Sequence, residues 1–119
     1  MIELIKDNPV SLEFDISSAI TALDLEDIND VTDAMFVLKN KQQDPDDSSL
    51  ISKTITGGGI EIAGGKLYVP LVKADYTNLT PGSSYHIALG IKYEGVATFL
   101  ELDLQGEDRI RIKQDTIRG

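Results

Sequence analysis

Residues 85–93 read Tyr-His-Ile-Ala-Leu-Gly-Ile-Lys-Tyr, and every second side chain in this stretch is large and apolar. The positions between them carry histidine, alanine, glycine and lysine, which are small or polar. Because successive side chains of a strand point to opposite faces, this two-residue period predicts a β-strand with one buried face. Gly95 ends the run, and residues 97–104 supply a second apolar stretch that predicts the partner strand of a hairpin.

The rest of the chain has the same pattern of short strands, separated by turns that contain glycine, proline, asparagine or aspartate. Residues 33–38 predict another strand, and residues 34–38 within it are apolar on both faces, which is typical of a central strand covered on two sides. Further strands are predicted at residues 2–6, 10–16, 50–56, 60–62, 67–69 and 109–113, with a loop containing one helical turn at 17–30 and a short helix at 73–79. About eight or nine short strands predict an all-β sandwich that forms one domain over residues 1–119.

The apolar phase of these strands predicts which side chains form the core. We expect the core to contain Leu12, Phe14, Phe36, Leu38, Leu67, Val69, Tyr85, Ile87, Leu89, Ile91, Leu100 and Leu102. His86 and Ala88 occupy the opposite phase and are expected on the outer face of their strand.

The composition excludes several classes of function. The chain has no cysteine, so it forms no disulfide, thiolate metal site or cysteine nucleophile. Its net charge is −9, and residues 1–50 hold twelve acids against three bases, so we expect no nucleic-acid partner. The first residues lack the basic and apolar segments of a signal peptide, and no apolar run approaches the ~20 residues of a membrane helix. We therefore expect synthesis in the cytoplasm and no membrane partner.

No catalytic or cofactor motif is recognisable in the sequence. The chain has one histidine, His86, so a site with several histidine ligands cannot form within one copy. The glycine-rich residues 57–59 and 64–66 are not a phosphate-binding loop, because Leu67 stands where such a loop needs serine or threonine. We predict that the protein is not an enzyme and uses no cofactor.

Two acidic segments are weak candidates for divalent cation binding. The first contains Asp24, Asp27 and Asp30, and the second is the loop at residues 44–47. Calcium prefers several carboxylate and carbonyl oxygens, but the ligand spacing of an EF-hand loop is absent. We interpret both segments as solvated loops and predict no metal site.

The order of several segments resembles that of a known family. The segments are residues 9–14, 23–25, 35–39, 65–69, 79–85 and 109–113. In this order they resemble the small immunoglobulin-like domains of tailed-phage and prophage virions, such as the N-terminal domain of phage baseplate upper proteins. In that family a step of the leucine-x-proline-glycine-x-tyrosine type leads into the long hairpin, and residues 79–85 here read Leu-Thr-Pro-Gly-Ser-Ser-Tyr. The chain departs from the family at residues 17–30 and in the acidic loop at 44–47.

The resemblance implies an immunoglobulin-like sandwich that is a structural component of a phage or prophage particle, in its tail, baseplate or neck. Such a protein acts by assembly with itself, as a homo-oligomer, or with other virion proteins, and becomes virion-associated after synthesis. One alternative is an adhesion or carbohydrate-binding module that uses its loops, with weak calcium binding. Another is a hydrolase whose site no motif marks.

The last predicted strand carries Arg109, Arg111 and Lys113 on one face, and these three are the interface candidates. Two interpretations of this basic strand stay open. If the first and last strands are neighbours, the bases pair within the chain with Glu13 and Asp15. Otherwise they meet the acidic loops of a neighbouring subunit in a head-to-tail contact that closes into a ring.

Overall fold

Two β-sheets pack face to face in the computed structural model, which describes residues 2–26, 28–41, 49–94, 98–102, 104 and 108–114. The strands are β1 Ile2–Ile5, β2 Val10–Asp15, β3 Val31–Lys39, β4 Ile51–Thr54, β5 Glu61–Ala63, β6 Lys66–Leu71, β7 Ser84–Tyr93, β8 Leu100–Glu101 and β9 Arg109–Lys113. One short helix, α1, covers Ser17–Ala22, and 3₁₀ turns cover Ile28–Asp30 and Lys73–Tyr76. The all-β sandwich predicted from the periodicity is confirmed.

The strand order is that of an immunoglobulin-like sandwich. The smaller sheet has the order β2-β6-β5, and the larger sheet has the order β1-β9-β7-β3-β4, with β8 also paired to β7. In chain order these correspond to strands B, E and D on one side and G, F and C on the other, with β4 as an added edge strand. β1 joins the larger sheet in parallel with β9.

The core lies between the inner faces of the two sheets. Ten of the twelve side chains predicted there are buried, including Ile87 and Leu89, so the predicted phase of β7 is confirmed. The rings of Phe14 and Phe36 meet across the sheets with centroids 6.1 Å apart. The prediction is wrong for Leu100, which is 42% exposed, and Leu102 is only half-buried, at the margin of the core.

The second strand of the predicted hairpin is much shorter than expected. Within the described residues only Leu100 and Glu101 form strand β8, and β9 pairs with the remainder of the same edge of β7. The register passes from Gly90 opposite Glu101 to His86 opposite Arg109, so between these two pairs the chain advances eight residues while β7 advances four. Leu102 and Leu104 pack only partly against the core, while Phe99 approaches Gly90 of β7. Gly95 and residue 97 lie outside the described residues.

Two tyrosines fix the connections between the sheets. The Tyr85 hydroxyl accepts a hydrogen bond of 2.8 Å from the backbone N–H of Thr80, at the position of the tyrosine corner of immunoglobulin-like domains. The helix predicted at 73–79 is the shorter 3₁₀ turn Lys73–Tyr76, which buries Tyr76. The Tyr76 hydroxyl donates a 2.7 Å hydrogen bond to the carbonyl of Asn8 and so holds the β1–β2 connection.

The prediction that Glu13 and Asp15 pair with the bases of the last strand is wrong. β2 pairs with β6 in the smaller sheet, where Glu13 forms an ion pair with Lys66. β9 lies between β1 and β7 in the larger sheet. The short β1 segment, and not β2, is the neighbour of the last strand, and the sequence does not indicate which sheet either strand joins.

Removing the Tyr76 hydroxyl provides a test of this connection. Burial raises the pKa of Tyr76 above its ordinary value of 10.0, and the charges of Asp75 and Asp7 add to the shift. Stabilisation by the neutral side chain is therefore complete below the unfolded-state pKa and is lost as the pH rises through the higher folded-state pKa. We expect Tyr76→Phe to cost about 1 kcal/mol at neutral pH, because one hydrogen bond is lost.

Urea unfolding near neutral pH and at about pH 11 provides the measurement. The unmodified protein should lose more stability between these two conditions than Tyr76→Phe does. Equal losses in the two proteins would show that Tyr76 does not couple folding to pH.

Candidate functional site

A groove crosses the outer face of the larger sheet and has a volume of about 710 Å³. We call it the outer groove. β3 and β7 form its floor, and one wall is formed by Phe99, Glu101, Leu102 and Leu104. Its described lining residues are Met35, Val37, Lys39, His86, Ile87, Ala88, Leu89, Gly90, Phe99, Glu101, Leu102, Leu104 and Asp108.

The wall exists because Gly90 lets the chain approach β7 closely. A Cβ atom added at Gly90 would lie 3.1 Å from the Cβ of Phe99 and 3.4 Å from the carbonyl oxygen of Leu100. The Lys92 ammonium lies 4.4 Å from the centre of the Phe99 ring, within the range of a cation–π contact. Val37 is only 3% exposed although it belongs to the outward phase of β3. The outer face of this sheet is therefore apolar at its centre.

One end of the outer groove is basic. Lys39 of β3 lies opposite His86 of β7, and His86 lies opposite Arg109 of β9. We call these three cross-strand neighbours the basic row. The Arg109 side chain is exposed, and no ion pair joins it to a carboxylate in the described part of the chain. Asp108 and Glu101 add two carboxylates to the groove lining, so the rim carries both signs of charge.

The three interface candidates differ in their surroundings. The Lys113 ammonium forms a 2.9 Å ion pair with Glu3 of β1, and this contact lowers the pKa of the Glu3 carboxyl below its usual value. Arg111 lies opposite Glu3 in the β1–β9 register and contributes more weakly to the same shift. Both ends of the Lys113–Glu3 pair are about half exposed, so it stabilises the fold little. Arg109 and Arg111 are exposed, and no ion pair joins either of them to a carboxylate among the described residues.

Of the weak metal candidates, the structure describes Asp24 and Asp30. Asp24 lies in a left-handed conformation with φ of 58°, and the Asp30 carboxylate accepts a 2.8 Å hydrogen bond from the backbone N–H of Glu26. Asp27 and the loop at 44–47 lie outside the described residues. Among the residues that are described, no group of three histidine, aspartate or glutamate side chains is arranged to hold a metal ion.

No family model matches the chain, and no curated protein matches it significantly in sequence. Within the described part of the chain, no helix has both the length and the apolar character needed to cross a membrane. The outer groove and basic row together offer an apolar floor, a cationic end and a rim of mixed charge. Such a surface is suited to contact with another polypeptide.

Sequence reasoning identified Arg109 and Arg111 but missed Lys39, Phe99 and the groove itself. Lys39 joins the basic row only through the register of three strands, which a single sequence does not reveal. Gly90 was a usable signal, because a glycine inside a strand often marks a close approach of backbone or side chain.

Proposed function

We propose that this protein is a non-catalytic structural component of a phage or prophage particle, in its tail, baseplate or neck. It acts by protein–protein assembly, with itself or with other virion proteins, through the outer groove and the basic row. The observation that carries the proposal is the placement of exposed Arg109 opposite His86, at the basic end of the outer groove, on a chain whose net charge is −9. The segment order and the immunoglobulin-like strand order support the particle assignment.

The distribution of charge along β3 supports a head-to-tail contact between copies. The exposed acids Asp24 and Glu26 precede β3, whereas Lys39 ends it. A strand of nine residues separates these two ends by roughly 30 Å. Opposite charges at the two ends favour contact between the basic end of one copy and the acidic end of the next. Such head-to-tail contacts form a ring when the rotation between successive copies adds up to a full turn.

Charge reversal at each end tests this assembly. One variant carries Arg109→Glu and Arg111→Glu, and the other carries Glu26→Lys and Asp24→Asn. Asparagine tolerates the left-handed conformation of Asp24, so the second variant should fold. We expect light scattering to show an oligomer of the unmodified protein that weakens at high salt, and monomers for each variant alone.

Mixing the two variants should restore the oligomer, because each reversed end then meets an opposite charge on its neighbour. Lys73→Glu, at an exposed site on the 3₁₀ turn, is the matched control for Arg109→Glu alone, because each changes the net charge by the same amount, and it should keep the oligomer. A protein that is monomeric at every concentration and salt before any substitution would exclude self-assembly. The particle role would then require a different virion protein as partner.

A further inference from the structure

The smaller sheet ends on a strand whose outer edge has no partner among the described residues. β2 pairs with β6 on one side only, and it is six residues long. In the immunoglobulin arrangement a further strand can lie beside strand B. Here the preceding strand, β1, pairs with β9 in the other sheet. The β2 edge therefore has the length of an ordinary strand and no strand beside it in the described part of the chain.

The adjacent hairpin establishes which backbone groups of β2 face outward. Ala63 and Lys66 are joined by Gly64 and Gly65, whose φ values of 58° and 79° are those of a two-residue type I′ turn. The two residues that flank such a turn form a backbone hydrogen-bonded pair, so the backbone N–H and C=O of Lys66 face β5. Those of the next residue, Leu67, therefore face β2.

Leu67 pairs with Phe14, so the backbone groups of Phe14 face β6. From Phe14, successive residues of β2 direct their backbone groups alternately toward β6 and outward. Val10, Leu12 and Phe14 direct their backbone groups to β6, and Ser11, Glu13 and Asp15 direct theirs outward. Pro70 of β6 supports this assignment of outward and inward backbone groups. Its carbonyl accepts a 2.7 Å hydrogen bond from the Lys53 ammonium and so does not face β2.

The side chains of β2 define the chemistry of a complementary strand. Glu13 and Asp15 are exposed on one face of the strand, where Glu13 also pairs with Lys66 of β6, and Leu12 and Phe14 are buried on the other face. Val10 lies on the apolar phase but is 36% exposed, so an added apolar side chain would cover it. A second copy of β2 would place acids against acids, which is unfavourable, whereas lysine or arginine opposite them is favourable.

We propose that the outer edge of β2 binds an extended segment of a partner protein, in which lysine or arginine alternates with β-branched apolar residues. The segment adds a fourth strand to the smaller sheet through the backbone groups of Ser11 and Glu13, and its cations lie beside Glu13 and Asp15. This mode of recognition takes its affinity from main-chain hydrogen bonds and its specificity from alternate side chains. The site lies in the sheet opposite the basic row and does not depend on it.

A synthetic peptide with the sequence Thr-Arg-Ile-Arg-Ile-Lys-Thr, blocked at both ends, is the probe. We expect saturable binding by fluorescence anisotropy and slower hydrogen exchange at the amides of Ser11 and Glu13. N-methylation of alternate peptide nitrogens in the phase that faces β2 should weaken binding at least about tenfold. The same number of N-methyl groups on the peptide nitrogens that face away from β2 should leave binding unchanged.

Two further arms make the test specific. A peptide with glutamate in place of arginine and lysine should bind at least about tenfold more weakly, since its charges face Glu13 and Asp15. Arg109→Glu, which weakens the proposed self-assembly, should leave peptide binding unchanged. Equal binding of the two N-methylated peptides would overturn the proposal, because attraction of charge alone does not distinguish the phases. Absence of exchange protection at Ser11 and Glu13 would also overturn it.

Discussion

Replacing Leu89 with alanine is expected to lower the free energy of unfolding by about 2–5 kcal/mol, because the change leaves a cavity in the core. Leu89 is fully buried, and its strand β7 is paired with β3. Small domains have a total stability of only about 5–15 kcal/mol, so this single change threatens the folded state. Urea unfolding followed by far-ultraviolet circular dichroism measures the loss.

Leu100→Ala is the matched control for Leu89→Ala. Leu100 belongs to β8, which pairs with the same strand, but its side chain is 42% exposed. The same loss of atoms should therefore change stability by no more than about 0.5 kcal/mol. Similar losses in the two variants would mean that the two leucines are equally buried, in conflict with the packing of β7 and β8.

The accuracy of the sequence-based predictions followed the clarity of each strand's burial pattern. β7 has one buried face, so its period of two residues identified the inward side chains, including Ile87 and Leu89. β3 is covered on both faces along Phe36, Val37 and Leu38, and its continuous apolar run indicated a central strand. In both cases the signal is local, because it depends on which side chains are removed from water.

The strand predicted at 97–104 was wrong in length for a reason that is not local. Leu100, Leu102 and Leu104 alternate as in a half-buried strand, yet Leu100 is 42% exposed although it lies opposite the buried Ile91, and Leu102 and Leu104 pack only partly against the core. The close approach of Phe99 to Gly90 positions this segment. Alternation indicates which side chains share a face of a strand, but not how fully the neighbouring elements cover that face.

The candidate site was predictable only in part for a related reason. Arg109 and Arg111 could be selected because β9 alternates basic and apolar residues along a single strand. The basic row also needs Lys39 and His86, which approach Arg109 through two separate strand registers. The outward phase of β2 similarly depends on the hairpin between β5 and β6.

The carboxylate of Asp33 links the start of β3 to the end of β4 through four hydrogen bonds. Its Oδ1 accepts from the backbone N–H groups of Ala34, Ile55 and Thr56, at 2.9, 3.1 and 3.2 Å. Its Oδ2 accepts from the Thr56 hydroxyl at 3.0 Å. Asp33 lies at an irregularity in the β3–β7 register, so the strand ladder alone does not fix this corner of the sheet.

Asp33→Ala is therefore expected to cost about 2–3 kcal/mol, which is close to one strong charged hydrogen bond and well below the sum of four. The expected loss is smaller than the sum of four hydrogen bonds for two reasons. Water can replace the carboxylate at the exposed Thr56. The Ile55 N–H also keeps a second acceptor, the Ala34 carbonyl, at 3.2 Å. Urea unfolding measures the total loss, and hydrogen exchange at the Thr56 amide measures local opening.

Asp33→Asn separates the hydrogen-bonding role of Asp33 from its charge. The amide keeps one oxygen of similar shape as an acceptor, so we expect this variant to retain more than half of the stability that Asp33→Ala loses, with Thr56 still protected from exchange. If Asp33→Asn is as unstable as Asp33→Ala, the negative charge itself holds the corner. If neither variant changes exchange at Thr56, the corner is held by the apolar packing of Ala34 and Ile55, and the carboxylate only satisfies groups that water would otherwise satisfy.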